Sequence, residues 1–310
     1  MEAAASARPR LPPWLKVRFP AGDRYSQIRG LLRRHELHTV CEEAHCPNVG
    51  ECFNYGTATF MILGDVCTRA CSFCAVTSGR PQGLDLLEPL RVARAVETLG
   101  LDYVVITSVN RDDLPDGGAS IFVGCIQAIR RKNPRCRVEV LIPDFMGNWG
   151  ALAMVVEARP FVLNHNIETV PRLYRRVRHK ARYERSLALI SKVKELDPAM
   201  LTKSGMMLGL GETREEVRQT LADLRSAGCE IVTIGQYLRP TQKHAMVERF
   251  VPPGEFAEIG QEARALGFRH VESGALVRSS YHAHQQVGLE LREDGREPPV
   301  LEDVIRLRHV

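Results

Sequence analysis

Two periods alternate along most of this chain. Short apolar runs rich in Val, Ile and Leu occupy residues 59–63, 102–107, 136–142, 161–165, 201–208 and 230–238, with a shorter one at 268–272. Between them lie longer stretches in which apolar side chains return every three to four positions: 89–99, 118–132, 149–157, 169–177, 183–196 and 253–266, plus one that Thr213 opens and Gly228 ends. The first kind predicts strands and the second helices. Thr213 with Glu216 three residues on has the form of a capping box. Strands that alternate with helices pair in parallel through right-handed crossovers. Six main strands precede the last helix, fewer than the eight of a closed barrel. The expected fold is therefore α/β, a partial (β/α)6 TIM-type barrel over residues 56–273. An N-terminal extension spans 1–55 and a C-terminal extension 274–310. In the former, residues 26–37 have helical spacing, and Leu11-Pro-Pro-Trp-Leu-Lys16 reads as an extended arm packed by Trp14 and Leu15. No internal repeat or low-complexity segment is evident.

Composition narrows the class without naming a chemistry. Of 310 residues, 44% are hydrophobic and 25% charged, ordinary for a globular protein. No apolar run has the length of a membrane span, which excludes an integral membrane protein. The net charge of +5 favours an acidic partner or anionic substrate without demanding nucleic acid. Six of the nine cysteines crowd into residues 41–74. An odd count without a secretory signal argues against a disulfide framework and for metal in a reducing compartment. Met1 to Arg10 is too short for a transit peptide, so the expected location is the cytoplasm. Cys125, Cys136 and Cys229 sit in apolar contexts and read as buried small hydrophobes.

The clustered cysteines come in threes. Cys67, Cys71 and Cys74 form C-x3-C-x2-C, and Cys41, Cys46 and Cys52 form C-x4-C-x5-C. Structural zinc wants four closed ligands. Three thiolates can instead hold three irons of a 4Fe–4S cube and leave the fourth open. His45 is adjacent to Cys46, an awkward geometry for a second ligand, and reads as a loop residue. With Phe73 before its last cysteine, the 67–74 motif resembles the signature of the radical S-adenosylmethionine (SAM) superfamily. That resemblance implies that the open iron chelates the amino and carboxylate groups of SAM, and that the reduced cluster cleaves it to a 5′-deoxyadenosyl radical.

In barrel folds the chemistry gathers beyond the C-terminal ends of the strands. After the run at 201–208 come Gly209 and Glu212; with Gly205 they resemble the superfamily's glycine-rich motif near the adenine of SAM, with Met207 in place of Ile. A plain strand-to-helix turn reads the same way. Thr107 to Asp113 occupies the place of a Gly-Gly-Glu that binds the SAM amino group elsewhere in the superfamily; Thr107 and Asn110 are the candidates, while Asp112 or Asp113 can simply cap the next helix. Asn164, His165, Asn166 and Glu168 end an apolar strand, and polar groups at that depth need partners such as SAM hydroxyls. For His165 a satisfied polar turn is an equal reading. Arg172, Arg175, Arg176, Arg178, His179, Lys180 and Arg182 form a basic run, either a solvated helix face or a dock for an acidic carrier protein. Arg278-Ser-Ser280-Tyr is by composition a polar loop.

Both cysteine triplets followed by Arg-Ser-Ser-Tyr resemble the lipoyl synthase family, as do residues 40–48, 111–118, 141–145, 164–172 and 236–240. The resemblance runs from about residue 11 to 284. It implies that Cys67, Cys71 and Cys74 bind the SAM cluster, that Cys41, Cys46 and Cys52 bind an auxiliary 4Fe–4S cluster, and that Ser280 ligates the latter's fourth iron. Arg278 belongs to that motif. A serine oxygen beside thiolates is a poor iron ligand and leaves readily, in keeping with a cluster consumed as sulfur donor. The implied reaction inserts sulfur at carbons six and eight of an octanoyl chain carried on a lysine, one SAM per C–H bond. The implied partners are octanoylated lipoyl carrier domains (2-oxoacid dehydrogenase acyltransferase subunits and the glycine cleavage H protein), a low-potential donor such as ferredoxin or flavodoxin, and an Fe–S assembly or carrier protein, with neither nucleic acid nor membrane. His179-Lys180 stands where the family pattern has Pro-Gly, and Ala275 where it has Pro; neither is expected to touch a cluster ligand. Rival readings are another sulfur-inserting radical SAM enzyme, such as a biotin synthase or methylthiotransferase, and a zinc-binding nucleic-acid protein. An N-terminal triplet argues against biotin synthase, the lack of a recognisable RNA-binding domain against the methylthiotransferases, and ligands in threes against zinc.

Overall fold

The structure, a computed structural model, describes residues 11–17, 23–34, 37–43, 46–54 and 59–288. Helix α1 (Asp23–Arg34), strand β1 (His38–Thr39) and the short helices α2 (Val40–Glu43) and α3 (Val49–Asn54) come before the repeating units. Then follow β2 (Thr59–Ile62), the small strands β3 (Val66–Cys67) and β4 (Thr77–Ser78), α4 (Glu88–Leu99), β5 (Tyr103–Ser108), α5 (Ala119–Lys132), β6 (Arg137–Leu141), α6 (Trp149–Glu157) and β7 (Val162–Asn164). The second half runs α7 (Tyr174–Val177), α8 (Tyr183–Leu196), β8 (Leu201–Leu208), α9 (Arg214–Ser226), β9 (Ile231–Gln236), α10 (Pro253–Ala265) and β10 (His270–Gly274). The main sheet has the order β1-β2-β5-β6-β7-β8-β9-β10, so each strand adds beside its predecessor. All its pairings are parallel except β1, which runs antiparallel to β2. The sheet is open between β1 and β10, as a partial barrel requires.

The alternation of side chains along each strand sorts the core into two layers. Val104, Ile106, Val140 and Leu163 pack outward with Phe122, Ile126 and Leu152 of the helices; Leu208, Val232 and Ile234 do the same with Leu221 and Leu224. The intervening positions face the lumen. At its lower level the Lys203 ammonium donates to Glu139 at 2.8 Å, Tyr103 Oη to the other oxygen of Glu139 at 2.7 Å, and Asn164 Nδ2 to Glu139 at 3.2 Å. After β10 the chain folds back over the inner face of β9. A Cβ on Gly235 would lie 2.1 Å from the Val277 carbonyl, so this contact needs glycine. Ala283 then packs against Tyr103 and Val105.

The capping box forms: Thr213 Oγ1 accepts from the Glu216 amide at 3.3 Å, and the Thr213 amide donates to Glu216 at 2.8 Å. Other expectations need correction. Helix α1 begins and ends three residues earlier than its apolar spacing suggests, with Arg33 and Arg34 in the last turn, where the carbonyls favour cations. The basic stretch at 169–177 is helical only from Pro171, first as a 3-10 turn and then as the four residues of α7. In the arm, Leu15 is buried but Trp14 is exposed. Cys125, Cys136 and Cys229 are buried, as expected of small hydrophobes. Among the described residues no helix is long and apolar enough to cross a membrane.

Candidate active site

The chain leaves β2 through Leu63, in a left-handed conformation (φ 70°), and enters the loop of the first cysteine triplet. Three other segments hold that one in place. The Thr68 amide donates to the Asn110 carbonyl at 3.0 Å, the Ser72 amide to Val177 at 3.0 Å, the Ala245 amide to Ser72 at 2.8 Å, and Lys180 Nζ to the Thr68 carbonyl at 2.8 Å. His244 Nε2 donates to the Cys74 carbonyl at 2.9 Å. Beneath the loop, the guanidinium of Arg69 forks onto Asp112 at 2.7 and 2.8 Å and reaches Asp144 at 2.6 Å, with only 3% of its side chain exposed. Asp112 is thus an anchor for the loop and Asp113 pairs with Arg111; neither caps α5, whose N-cap is Gly118, and it is the Asp116 carboxylate that accepts from the Gly118 and Ser120 amides. Lys180, at a departure from the family pattern, touches the residue after Cys67.

Cys67 Sγ accepts hydrogen bonds from the amides of Asn110 (3.3 Å) and Arg69 (3.4 Å). Burial pushes the Cys71 thiol up, and Cys74 up to about 12. Such thiols keep their protons unless a metal displaces them. Among the described residues no three His, Cys, Asp or Glu side chains converge on a single metal ion; a cube asks something different, since each thiolate takes its own iron.

Over these cysteines lies a cavity of about 440 Å³, within the range of small-molecule cofactor sites. Of the predicted residues, Thr107, Asn110, His165, Asn166, Glu168 and Arg278 line it with the three cysteines. Ser108 Oγ, Asn110 Oδ1 and Asn166 Oδ1 are buried at its wall without partners, the condition in which a polar ligand is owed. Glu168, in a left-handed backbone conformation (φ 66°), accepts from Asn166 Nδ2 at 3.1 Å; burial raises its pKa, against the pull of Arg178 and Asn166. The chemistry of this lining fits SAM, and three thiols at one end fit its cluster.

Asn164, Gly205, Gly209 and Glu212 do not line the cavity. Asn164 belongs to the Glu139 network below. The Gly205 carbonyl accepts from the Glu168 amide at 2.9 Å and so supports the wall from behind. Glu212 turns back onto its own loop, accepting from the Gly209 and Leu210 amides at 2.6 and 2.9 Å; both its oxygens serve the turn. His165 is a satisfied core residue, with Nδ1 donating to the Ile142 carbonyl (2.9 Å) and Nε2 accepting from Ser186 (3.0 Å). The basic run does not form one face. Arg172 pairs with Glu216 and Arg176 with Glu248, whereas Arg178 turns inward to the Asn166 carbonyl at 2.9 Å and lines the cavity. Arg178 and Ser108 line the cavity without having been singled out for it from the sequence, and no local pattern there distinguishes them from their neighbours.

None of the second triplet's cysteines lines this cavity, but Val40 and Pro47, next to Cys41 and Cys46, do. Cys41 is pushed up to about 12 by burial, then by Cys46 and Cys52, which marks the three as neighbours. Burial also raises Cys46, with Arg278 pulling it back. Arg278 and Ser279 line the cavity; Ser280, the next residue, does not. His45 lies outside the described residues.

The comparisons agree with this geometry. The family model of the radical SAM superfamily matches residues 61–224, and that of the N-terminal domain of lipoyl synthase matches residues 1–46. A lipoyl synthase of Rubrobacter xylanophilus is 61% identical over 89% of this chain and 86% of its own length. One of Chloroflexus aggregans is 56% identical over 92% of this chain and 94% of its own. Among solved structures, Streptococcus suis SuiB bound to S-adenosylmethionine superposes with a TM-score of 0.56 at 10% identity, covering 79% of this chain and 57% of that one, which speaks for the fold alone. With relatives at 56–61% identity over nearly all its length, the chain belongs to the lipoyl synthase family, sulfur-transferring radical SAM enzymes that work with SAM and 4Fe–4S clusters.

Proposed function

We propose that Cys67, Cys71 and Cys74 hold the SAM-binding cluster, that Cys41, Cys46 and Cys52 with Ser280 hold the auxiliary cluster, and that sulfur passes to carbons six and eight of an octanoyl chain on a carrier domain. The observation that carries the reading is that the first triplet and the chain neighbours of the second, Val40 and Pro47, line one cavity whose wall holds three buried polar atoms without partners. When bound, the clusters and SAM supply hydrogen-atom abstraction and the sulfur. The chain supplies position. Asn110, Asn166 and Glu168 offer polar groups to SAM, and Gly205, Gly209 and Glu212 shape the wall behind it. Met61, Val109, Leu141, Ile142, Met207 and Leu238 give an alkyl chain an apolar lining and keep water from it. In this reading residues 1–55 and 274–310 serve the auxiliary cluster and 56–273 serve SAM. Lipoyl-carrier proteins are the substrates of the family; an acyltransferase subunit or H protein as carrier, ferredoxin or flavodoxin as donor, a separate Fe–S carrier and a cytoplasmic location complete the proposal.

Anaerobic incubation with SAM, dithionite and an octanoyl-lysine peptide, read by mass spectrometry, tests it. Two added sulfurs with 5′-deoxyadenosine are expected. Cys71→Ala is expected to lose SAM cleavage and about half of the iron; cleavage at the wild-type rate would sink the assignment. Cys46→Ala is expected to cleave SAM and transfer no sulfur.

A further inference from the structure

We propose that Glu51 is a positioning residue: it latches the segment that carries Ser279 and Ser280 onto α3, beside Cys52. The inference rests on the reading of Ser280 as a ligand of the auxiliary cluster and adds how that serine is kept in reach. Tyr281 Oη donates to Glu51 Oε1 at 3.0 Å, and His282 Nε2 donates to the same oxygen at 3.3 Å. The two rings stack with centroids 3.9 Å apart and planes 19° off parallel, so they meet the carboxylate as one unit. His282 adopts a left-handed backbone conformation (φ 50°), uncommon for a residue with a side chain and held only where surroundings impose it.

A second tether lies on the other side of the serines. Asn48, itself buried, donates from Nδ2 to the Leu276 carbonyl at 2.8 Å. Both tethers arise in the spacer between Cys46 and Cys52, and they bracket Ser279 and Ser280 from Leu276 to His282. The spacer thus sets the distance between two thiols and also delivers the hydroxyl. The tethers differ in strength. Asn48 is shielded, whereas the Glu51 and His282 side chains are 43% and 32% exposed, so water competes for the Glu51 end and that end opens first.

The test uses reconstituted enzyme as wild type, Glu51→Ala, Glu51→Gln and Ser280→Ala. Glutamine keeps an acceptor for both donors. Amide hydrogen exchange of peptides within 276–288 reads the latch; the Mössbauer spectrum of the auxiliary cluster, recorded in a background with Cys67, Cys71 and Cys74 changed to Ala, reads the ligand. Expected is exchange faster by up to about tenfold in Glu51→Ala, an auxiliary spectrum shifted toward that of Ser280→Ala, and return of both in Glu51→Gln. Wild-type exchange in Glu51→Ala overturns the latch. Faster exchange with an unshifted spectrum, while Ser280→Ala shifts it, overturns the positioning role. A wild-type spectrum from Ser280→Ala itself overturns the ligand reading on which the role depends, and leaves the exchange result to judge the contact alone.

Discussion

Lys203 and Glu139 meet at 2.8 Å in the barrel lumen with each side chain 1% exposed, and removing only the lysine is the sharpest test of how the lumen is held. At an effective dielectric constant of about 20 the pair's attraction is about 6 kcal/mol, and burying the two ions costs several kcal/mol each, so the pair as a whole lies near break-even. Lys203→Met removes the attraction and keeps the burial. The stranded carboxylate retains Tyr103 Oη and Asn164 Nδ2 as donors, which offset part of the loss. The expected destabilisation is about 3–4 kcal/mol, or about 5–6 °C in thermal midpoint for a chain of this size. Adding Glu139→Gln removes the stranded charge while offering Tyr103 and Asn164 a neutral partner, and is expected to recover about 2–3 kcal/mol. The assay is anaerobic differential scanning fluorimetry of the four proteins of the cycle. A single variant within 2 °C of wild type, or a double variant below the single, would refute the argument.

Three further outcomes follow from particular contacts. Gly209→Ala places a Cβ 2.2 Å from Gln236 Nε2 and 2.6 Å from the Arg249 carbonyl at φ +100°, so a loss of about 3 kcal/mol or more is expected in thermal midpoint, with weaker SAM binding by equilibrium dialysis; an unaltered midpoint refutes it. Arg69→Lys keeps the charge but cannot fork between Asp112 and Asp144, and is expected to lower both the midpoint and the iron content of the first cluster; full iron at wild-type stability would show that the fork is dispensable. Burial lowers His165 from 6.5 to about 4, so between those values the unfolded chain takes a proton that the native state refuses, and stability falls as pH falls. From pH 7 to 5.5 this amounts to about 1 kcal/mol, and His165→Gln is expected to flatten that part of the profile; an identical slope in wild type and variant counts against it.

What the sequence alone determined here is what depends on neighbours along the chain. The period of the apolar runs settles strand or helix within a few residues, as at β5 and β9, because burial on two faces leaves an almost unbroken apolar run. The capping box at Thr213 was legible for the same reason, since both its hydrogen bonds close within four residues. The cysteine spacings named the metal chemistry because thiolates held three to six positions apart have few other uses. Elements too short for a period escaped: β1, α2 and α3, on which the second triplet depends.

Only the tertiary structure decided which polar residues face the cavity. Glu168 and Glu212 look alike as acids after strands, yet one lines the wall and the other closes its own turn. Arg178 looks like its neighbours Arg175 and Arg176, yet it alone of the three turns to the cavity, since the single turn of α7 ends before it. The pairing of Glu51 with Tyr281 and His282 joins residues 230 and 231 positions apart, and no local pattern carries it. Such contacts are set by where the parallel strands bring their loops, and that placement is the sum of the packing of every crossover helix rather than a property of any one stretch of chain.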